Sequence, residues 1–591
     1  MHGGHGWIAW TGGPKLDSFH ATNNDREVVN HREPAMCLRQ ISLLASALLG
    51  GALLQACLPG ASAHAQDAAA LSGQVTSGDE GAMEGVLVSA RRDGSSITTT
   101  VVSDDKGRYA FPAARLEPGR YTIAIRAIGY KLDAPKSVDV QAGATADLTL
   151  SKTKNLAAQL SNGEWLMSLP GADKQKAFLT QCVGCHTLHR VVSSTHDAAE
   201  FEQLFLRMSR YSPGSTPLHP QPLLPGPRGE RPAVSGAAAK AAAEFLAGVN
   251  MSNAETWEFP LKTLPRPKGR STRVIVTEYD LPRKDAQPHD VAVAADGQVW
   301  YSDFGSQFVG ELDPKSGKVT DYPIPVLKAE QPKGSLDLEF DPDGNLWVAM
   351  MYQAGITRFD RRTKTAQAFA FPKEWQSAST QASMVSPSHM GVDGKVWTNN
   401  QEDHSHYRLE VATGRWENMG EAKDRNGKQI SAYGMPTDQQ NNVYLLEFGG
   451  TSIGQRNAKT NEVSIWPTPM AGSRPRRGRI DEQNRLWFAE YGGNRIGMFD
   501  PATQKIREWQ LPTAWSAPYD VAPARNGEVW TASMLNDQVA RLDPKTDQIV
   551  EYLLPRPTNV RRVFVDTSAD RPALWIGSNH GASIVKVEPL D

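Results

Sequence analysis

From about residue 270 to the carboxyl terminus, one hydrophobic–polar pattern recurs seven times. The unit is "ADGQVWYSD…FVGELDPKSGKVTDYPIP". It returns as "PDGNLWVAM…ITRFD", "VDGKVWTNN…YRLEVATG", "QQNNVYLLE", "EQNRLWFAE…RIGMFDPATQKIREWQLP", "RNGEVWTAS…VARLDPKTDQIVEYLLP" and "RPALWIGS…SIVKVEP". Alternation with a period of two predicts half-buried strands, and the Asp-Gly and Asn-Gly pairs predict the turns between them. The anchoring aromatics are Trp300, Trp347, Trp397, Tyr444, Trp487, Trp530 and Trp575, spaced 43 to 50 residues apart. That period is one four-stranded blade, so residues 273–591 are predicted to form a seven-bladed β-propeller. The last unit lacks its outer strand, and an orphan "VTEYDLP" (276–282) precedes the first. It is expected to complete blade seven and leave no free edge.

The patterning differs upstream. Residues 68–152 carry short alternating runs, among them "GVLVSAR", "TTTVVSD" and "GRYTIAIRA", divided by Gly and Asp-Lys-Gly turns. They predict an antiparallel β-sandwich. Residues 155–250 switch to apolar positions at helical spacing ("NLAAQLSNGEWLMSL", "AAEFEQLFLRMSRY", "AAAKAAAEFLAGV"), hence a small all-α domain. A Pro-rich, basic linker spans 251–272. The expected fold is therefore multidomain and mainly β.

The amino terminus reads as an address. From Met36 an apolar run over 41–54 leads to Ala63-His64-Ala65, the pattern of a signal peptide (36–65) cleaved near Ala65. Residues 1–35 are read as an upstream extension foreign to the native protein. Leu54-Gln55-Ala56-Cys57 offers the alternative of a lipid anchor, although Gln suits that box poorly. The expected location is the bacterial periplasm or the exterior, with no transmembrane span. Net charge is −2 with 22% charged residues, which excludes nucleic acid as a partner.

Removal of the leader would leave two cysteines, in Cys182-Val183-Gly184-Cys185-His186. C-x-x-C-H is the attachment pattern of c-type haem: two thiols add to the vinyl groups and the next imidazole reaches the iron. A zinc site would need a second ligand pair, and a redox dithiol more often sits in a βαβ unit. Met208, His189, His196 and His219 are the candidates for sixth iron ligand. The flanking helices resemble those of small cytochrome c domains. The spacing to "RM" resembles cytochrome subunits of quinoprotein dehydrogenases, which implies Met208 as axial ligand beside Cys182, Cys185 and His186, with covalent haem c as cofactor.

Two further resemblances bear on the β regions. "GVLVSA", "SDDKGRYAFP" and "LEPGRYTIAIRAIGY" resemble the carboxypeptidase regulatory-like domain, implying a spacer or binding module. "LWFAEYGGNRIGMFDP" and "PHDVAVAADGQVW" resemble streptogramin lyases (virginiamycin B lyase-like propellers). That resemblance implies a carbon–oxygen lyase in which a His at the inner-strand start and a Glu after the anchor strand of the same blade act with Mg²⁺ at the propeller mouth. Here His289 pairs with Asp303, and Glu490 with Arg476; no blade carries both family residues. His289, Asp303, Glu490 and Arg476 are the candidate catalytic residues.

Deviations between repeats are expected to mark the site. Positions three after and eleven before each anchor place His289, His389, His404, His406, Arg476, Arg477, Arg561, Arg562, His580, Asp303, Glu447 and Glu490 around one mouth. Converging arginines suit a carboxylate or phosphate, with His289 as proton acceptor, or else form a structural network with the acids. The expected function is haem-based electron transfer coupled to a small anionic ligand or a periplasmic redox partner. The alternatives are a lyase and a non-enzymatic binding protein.

Overall fold

The computed structural model describes residues 69–223, 235–250, 257, 259–423, 427 and 429–591, all within one compact unit that starts at Gln66. The expected upstream extension, the signal peptide with Cys57, and residues 251–256 of the linker lie outside the described residues.

Six four-stranded antiparallel units follow one another as blades; the third carries an extra short strand, Gln429–Ile430. Their innermost strands are Pro288–Val293, Leu338–Phe340, Val385–Ser386, Ala432–Gly434, Pro475–Ile480 and Pro518–Pro523. Blade seven is built from Val560–Asp566, Ala573–Ser578, Ser583–Pro589 and, outermost, Val274–Asp280, which pairs antiparallel with Ser583–Pro589. The innermost strand of blade seven lies against that of blade one, so the ring is closed.

Local chemistry explains why the strands stop where they do. In the outer hairpins an Asp accepts the amide two residues on: Asp313 from Lys315, Asp360 from Arg362, Asp500 from Ala502, Asp543 from Lys545. This Asx turn holds the reversal, and a left-handed residue follows it, Gly317 in blade one and Lys364 in blade two. The anchors face inward between blades. Trp300 packs with Leu338, Val348 and Phe359 of blade two, and Trp347 with Val385, Val396 and Leu409 of blade three. Each inter-blade layer thus rests on one large apolar side chain.

Residues 69–152 form two packed sheets around Leu71, Val75, Val88, Phe111, Ile123 and Leu148. One sheet does not end at its own edge. Ile97–Val102 pairs with Val274–Asp280, Thr100 opposite Val276 and Ile97 opposite Tyr279, so the sandwich and blade seven share eight continuous strands. The outermost propeller strand is therefore paired on both sides, and the edge that could template aggregation is absent there.

Among the described residues, five α-helices lie between these β modules: α1 (Asn162–Ser168), α2 (Asp173–Lys176), α3 (Leu188–Val192), α4 (Ala198–Met208) and α5 (Gly236–Val249). Ser161 and Glu164 form a capping box at α1, satisfying orphan amides reciprocally. The second oxygen of buried Glu164 accepts Leu264 N at 2.7 Å, which ties the segment before the propeller to α1. The helical core, with Trp165, Leu179, Val183, Leu188 and Leu246, is continuous with Tyr491, Tyr519 and Leu535 of the propeller. No helix among the described residues is long and apolar enough to cross a membrane.

Candidate functional site

The C-x-x-C-H segment lies at the end of a tight 3-10 turn, Ala177–Gly184, with the amides of Cys185 and His186 both directed at Cys182 O. Both thiols are free. Burial pushes the Cys182 thiol up to about 12 and raises Cys185 as well. A redox dithiol needs the opposite, a depressed thiol. His186 bonds the carbonyl of Thr187 through Nδ1 at 3.1 Å, which leaves Nε2 as its free donor atom. An axial imidazole needs that arrangement, one nitrogen fixed on a carbonyl and the other toward the metal. The donor set of Cys182, Cys185 and His186 therefore fits covalent haem c.

The candidates for sixth ligand are dispersed. Met208 ends α4 and is 44% exposed, beyond the partly buried Leu204 and Phe205. His196 faces Glu200 at 3.4 Å, and His219 stands 4.0 Å from Asp285. His189 packs on Trp165 with a buried Nε2 that has no hydrogen-bond partner.

One side of the turn sits on the propeller. Asn559 Nδ2 donates to Val183 O at 3.1 Å, His580 Nε2 to the same carbonyl at 3.0 Å, and Arg561 Nη2 to Gly184 O at 3.0 Å. The contact continues where Gly163 N donates to Leu535 O and Gln287 Nε2 to Gly214 O. The helical module thus covers the face on which the sequence places the mouth residues.

Beneath this cap the arginines divide into two sets. Arg477 and Arg562, 2% and 5% exposed, converge on acids of blades one and two. Arg477 is bidentate to Asp290 (2.9 Å twice) and also meets Asp337. Arg562 bonds Asp290 at 3.0 Å, Asp337, and Glu339 at 3.0 Å. Burial disfavours the Asp290 carboxylate, but the two guanidiniums outweigh it and hold Asp290 well below the usual range. For Asp337 burial wins and pushes its carboxyl up to about 7. Arg476 and Arg561 point elsewhere. Arg476 is enclosed by the rings of Tyr519, Phe448, Tyr491 and Tyr433, 3.7 to 5.2 Å from their centroids. Arg561 lies over Phe304 and Tyr519. Neither pairs with a carboxylate among the described residues.

His289 joins the two sets. It is fully buried, with Nδ1 2.6 Å from Asp290 and Nε2 3.2 Å from the Tyr519 hydroxyl. Burial lowers its pKa to about 3, so the ring is neutral, donates to Asp290 and accepts from Tyr519. Tyr519 in turn meets the Tyr433 hydroxyl. Desolvation and the engagement of both ring nitrogens weigh against His289 as a proton acceptor near neutrality.

The remaining expected site residues do not gather around His289. Asp303 is buried in an ion pair with Arg283 and accepts Gly305 N at 3.0 Å. Glu490, in blade five, faces Glu508; burial and that second carboxylate push it up to about 8. Glu447 accepts Thr451 N and His389 bonds Thr437. His406 is buried against Arg456, on the third strand of blade three and off the channel, where strand alternation turns it inward. The acids that neutralise Arg477 and Arg562 are Asp290, Asp337 and Glu339, in place of the expected Asp303, Glu447 and Glu490. His289 and Asp303 share blade one, and Arg476 and Glu490 share blade five, each with its own partners; among the described residues no group of three or more His, Cys, Asp or Glu could hold a metal ion.

Sequence reasoning missed Asp290, Asp337, Asp520, Tyr519 as a hub, and Asn559. For the three aspartates the signal was the column one residue after the inner-strand start. Inner strands are buried on both faces, so that column is as informative as its neighbour.

Fold and site together define a mainly β protein with a seven-bladed propeller, a fused sandwich and a helical cap. Residues 420–590 match the Virginiamycin B lyase family and residues 70–152 the carboxypeptidase regulatory-like domain, so the chain carries a virginiamycin B lyase-like propeller and a carboxypeptidase regulatory-like module. No curated protein matches the chain. Among solved structures, selenomethionine-substituted virginiamycin B lyase from Staphylococcus aureus is 18% identical with a TM-score of 0.46, covering 54% of this chain and 100% of that one. A streptogramin B lyase structure gives 18%, 0.47, 55% and 100%. The extracellular domain of a putative one component system from B. thetaiotaomicron gives 14%, 0.40, 51% and 40%.

Proposed function

We propose that this chain is an exported c-type haem protein that transfers electrons, its propeller supporting the haem module and receiving a small anionic ligand or a periplasmic redox partner. One observation carries the reading: two free thiols and an imidazole with a free Nε2 occupy the C-x-x-C-H turn seated on the propeller. Cys182 and Cys185 would hold the haem through thioethers, His186 would supply the proximal nitrogen and Met208 the sixth ligand. Bound haem supplies a one-electron couple at that position. The chain's own residues fix the turn: Val183 and Gly184 are held by Asn559, His580 and Arg561, and His186 by Thr187. Of the mouth arginines, Arg476 meets no carboxylate among the described residues and is the group available to an anionic ligand.

Expression with a cytochrome c maturation system tests this. Wild-type protein should keep haem stain after denaturing electrophoresis, and Cys185→Ser should lose most of it. Wild-type protein without stain ends the reading.

A second reading is a lyase, favoured by the family match over 420–590. The engaged nitrogens of His289 and the separation of Glu490 from it weigh against it. Incubation with a type B streptogramin decides: a lyase yields a product of unchanged mass and altered retention that His289→Ala does not form.

A further inference from the structure

Of the five channel arginines that matter here, three have acids to answer them. Arg477 and Arg562 share Asp290 and Asp337, and Arg479 pairs with Asp520 at 3.0 Å. Arg561 is different. It is 4% exposed. Nε donates to Asn559 Oδ1 at 2.8 Å, Nη2 donates to Gly184 O at 3.0 Å, and the faces lie on Phe304 and Tyr519 at 5.2 and 5.7 Å. Every bonded partner is neutral, and the carbonyl it grips belongs to the loop between Cys182 and Cys185. A charge stripped of water and of counter-ions keeps its field over several ångströms, because the surroundings screen it poorly. Adjacent Arg562 shows that this backbone could have offered an acid; here none was placed.

We propose that Arg561 is a positioning residue that raises the reduction potential of the haem held by Cys182 and Cys185. The inference rests on the haem reading above. Reduction adds one electron to the centre, so a fixed positive charge beside the attachment loop stabilises the reduced form, and burial and hydrogen bonding around the site are the levers a protein has for this. The bond to Gly184 O also fixes the loop in place, and the test must separate charge from tether.

The experiment is a spectroelectrochemical titration of the full, haem-loaded chain. Arg561→Gln should lower the ratio of reduced to oxidised haem at fixed potential about tenfold, equivalent to about 59 mV for one electron. Arg561→Lys keeps the charge and should retain most of the wild-type ratio, which a purely structural role would not predict. Asn559→Asp sets a carboxylate against Arg561 Nε and should shift the ratio in the same direction as Arg561→Gln; it decides the matter should that variant not fold. Stained protein in which both neutralising variants stay within twofold of wild type overturns the inference alone. Wild-type protein without haem stain overturns the haem reading and this inference with it.

Discussion

Replacing Arg562 by Met removes the cation that joins buried Asp290 and Asp337 to the partly buried Glu339. Arg562 is 5% exposed and reaches Asp290, Asp337 and Glu339, whereas Arg477 answers only the first two. Methionine nearly fills the volume of the aliphatic stem, so the cost is electrostatic. Removing one partner of a buried ion pair costs about 3–5 kcal/mol because the other charge stays behind. At about 2 °C per kcal/mol for a large domain, melting should fall by about 6–10 °C. The acids left behind can neutralise themselves by taking up protons, and Asp337 already sits near 7 in the intact protein. Their folded pKa values would lie above the unfolded ones, so the folded variant binds extra protons and its stability falls as pH rises. The deficit should therefore be large at pH 8 and clearly smaller at pH 5.5. Glu339→Gln in the Arg562→Met background should recover part of it. Melting followed by tryptophan fluorescence at the two pH values is the assay. A loss below about 1 kcal/mol, or one equal at both pH values, would show that the network is not what holds the channel together.

Two further outcomes follow from the geometry. Glu490 is pushed up to about 8, above its unfolded value near 4.3, so its protonated form stabilises the fold until pH rises through about 8. Glu490→Gln should melt like wild type at pH 5 and higher than wild type at pH 9, by a few kcal/mol at most; a variant less stable at both values contradicts the burial argument. At Gly163 a Cβ would stand 1.7 Å from Asn536 Oδ1, while its amide bonds Leu535 O at 2.8 Å. Gly163→Ala should unseat α1 from the propeller and speed proteolysis of the helical module, with the isolated-propeller fragment as product; unchanged digestion would mean that this contact does not hold the cap.

Much of this architecture is written in the repeats, and some of it is not. The aromatic column from Trp300 to Trp575 marks the blades because each ring needs one large apolar side chain per inter-blade layer. The strand Val274–Asp280 is recognisable because blade seven otherwise lacks a member. Its second partner, Ile97–Val102, is not: alternation says that a strand exists but not which edge meets it. The site was half legible. His289, Arg476 and Tyr519 fall in the column that begins each inner strand, yet the acids that settle the fate of Arg477 and Arg562 lie one position further along. The Cys182–His186 motif is plain in the sequence. Its docking on Asn559, Arg561 and His580 depends on contacts almost four hundred residues apart, which no local pattern encodes.

On the function proposed above, covalent haem sits at the Cys182–His186 turn. The absorption spectrum of the purified chain before and after dithionite, after expression with a cytochrome c maturation system, tests this. A Soret band is expected and, on reduction, the sharp α and β bands of a c-type haem, all lost together in Cys182→Ser/Cys185→Ser. A colourless wild-type protein, or one whose colour survives in that double variant, contradicts it.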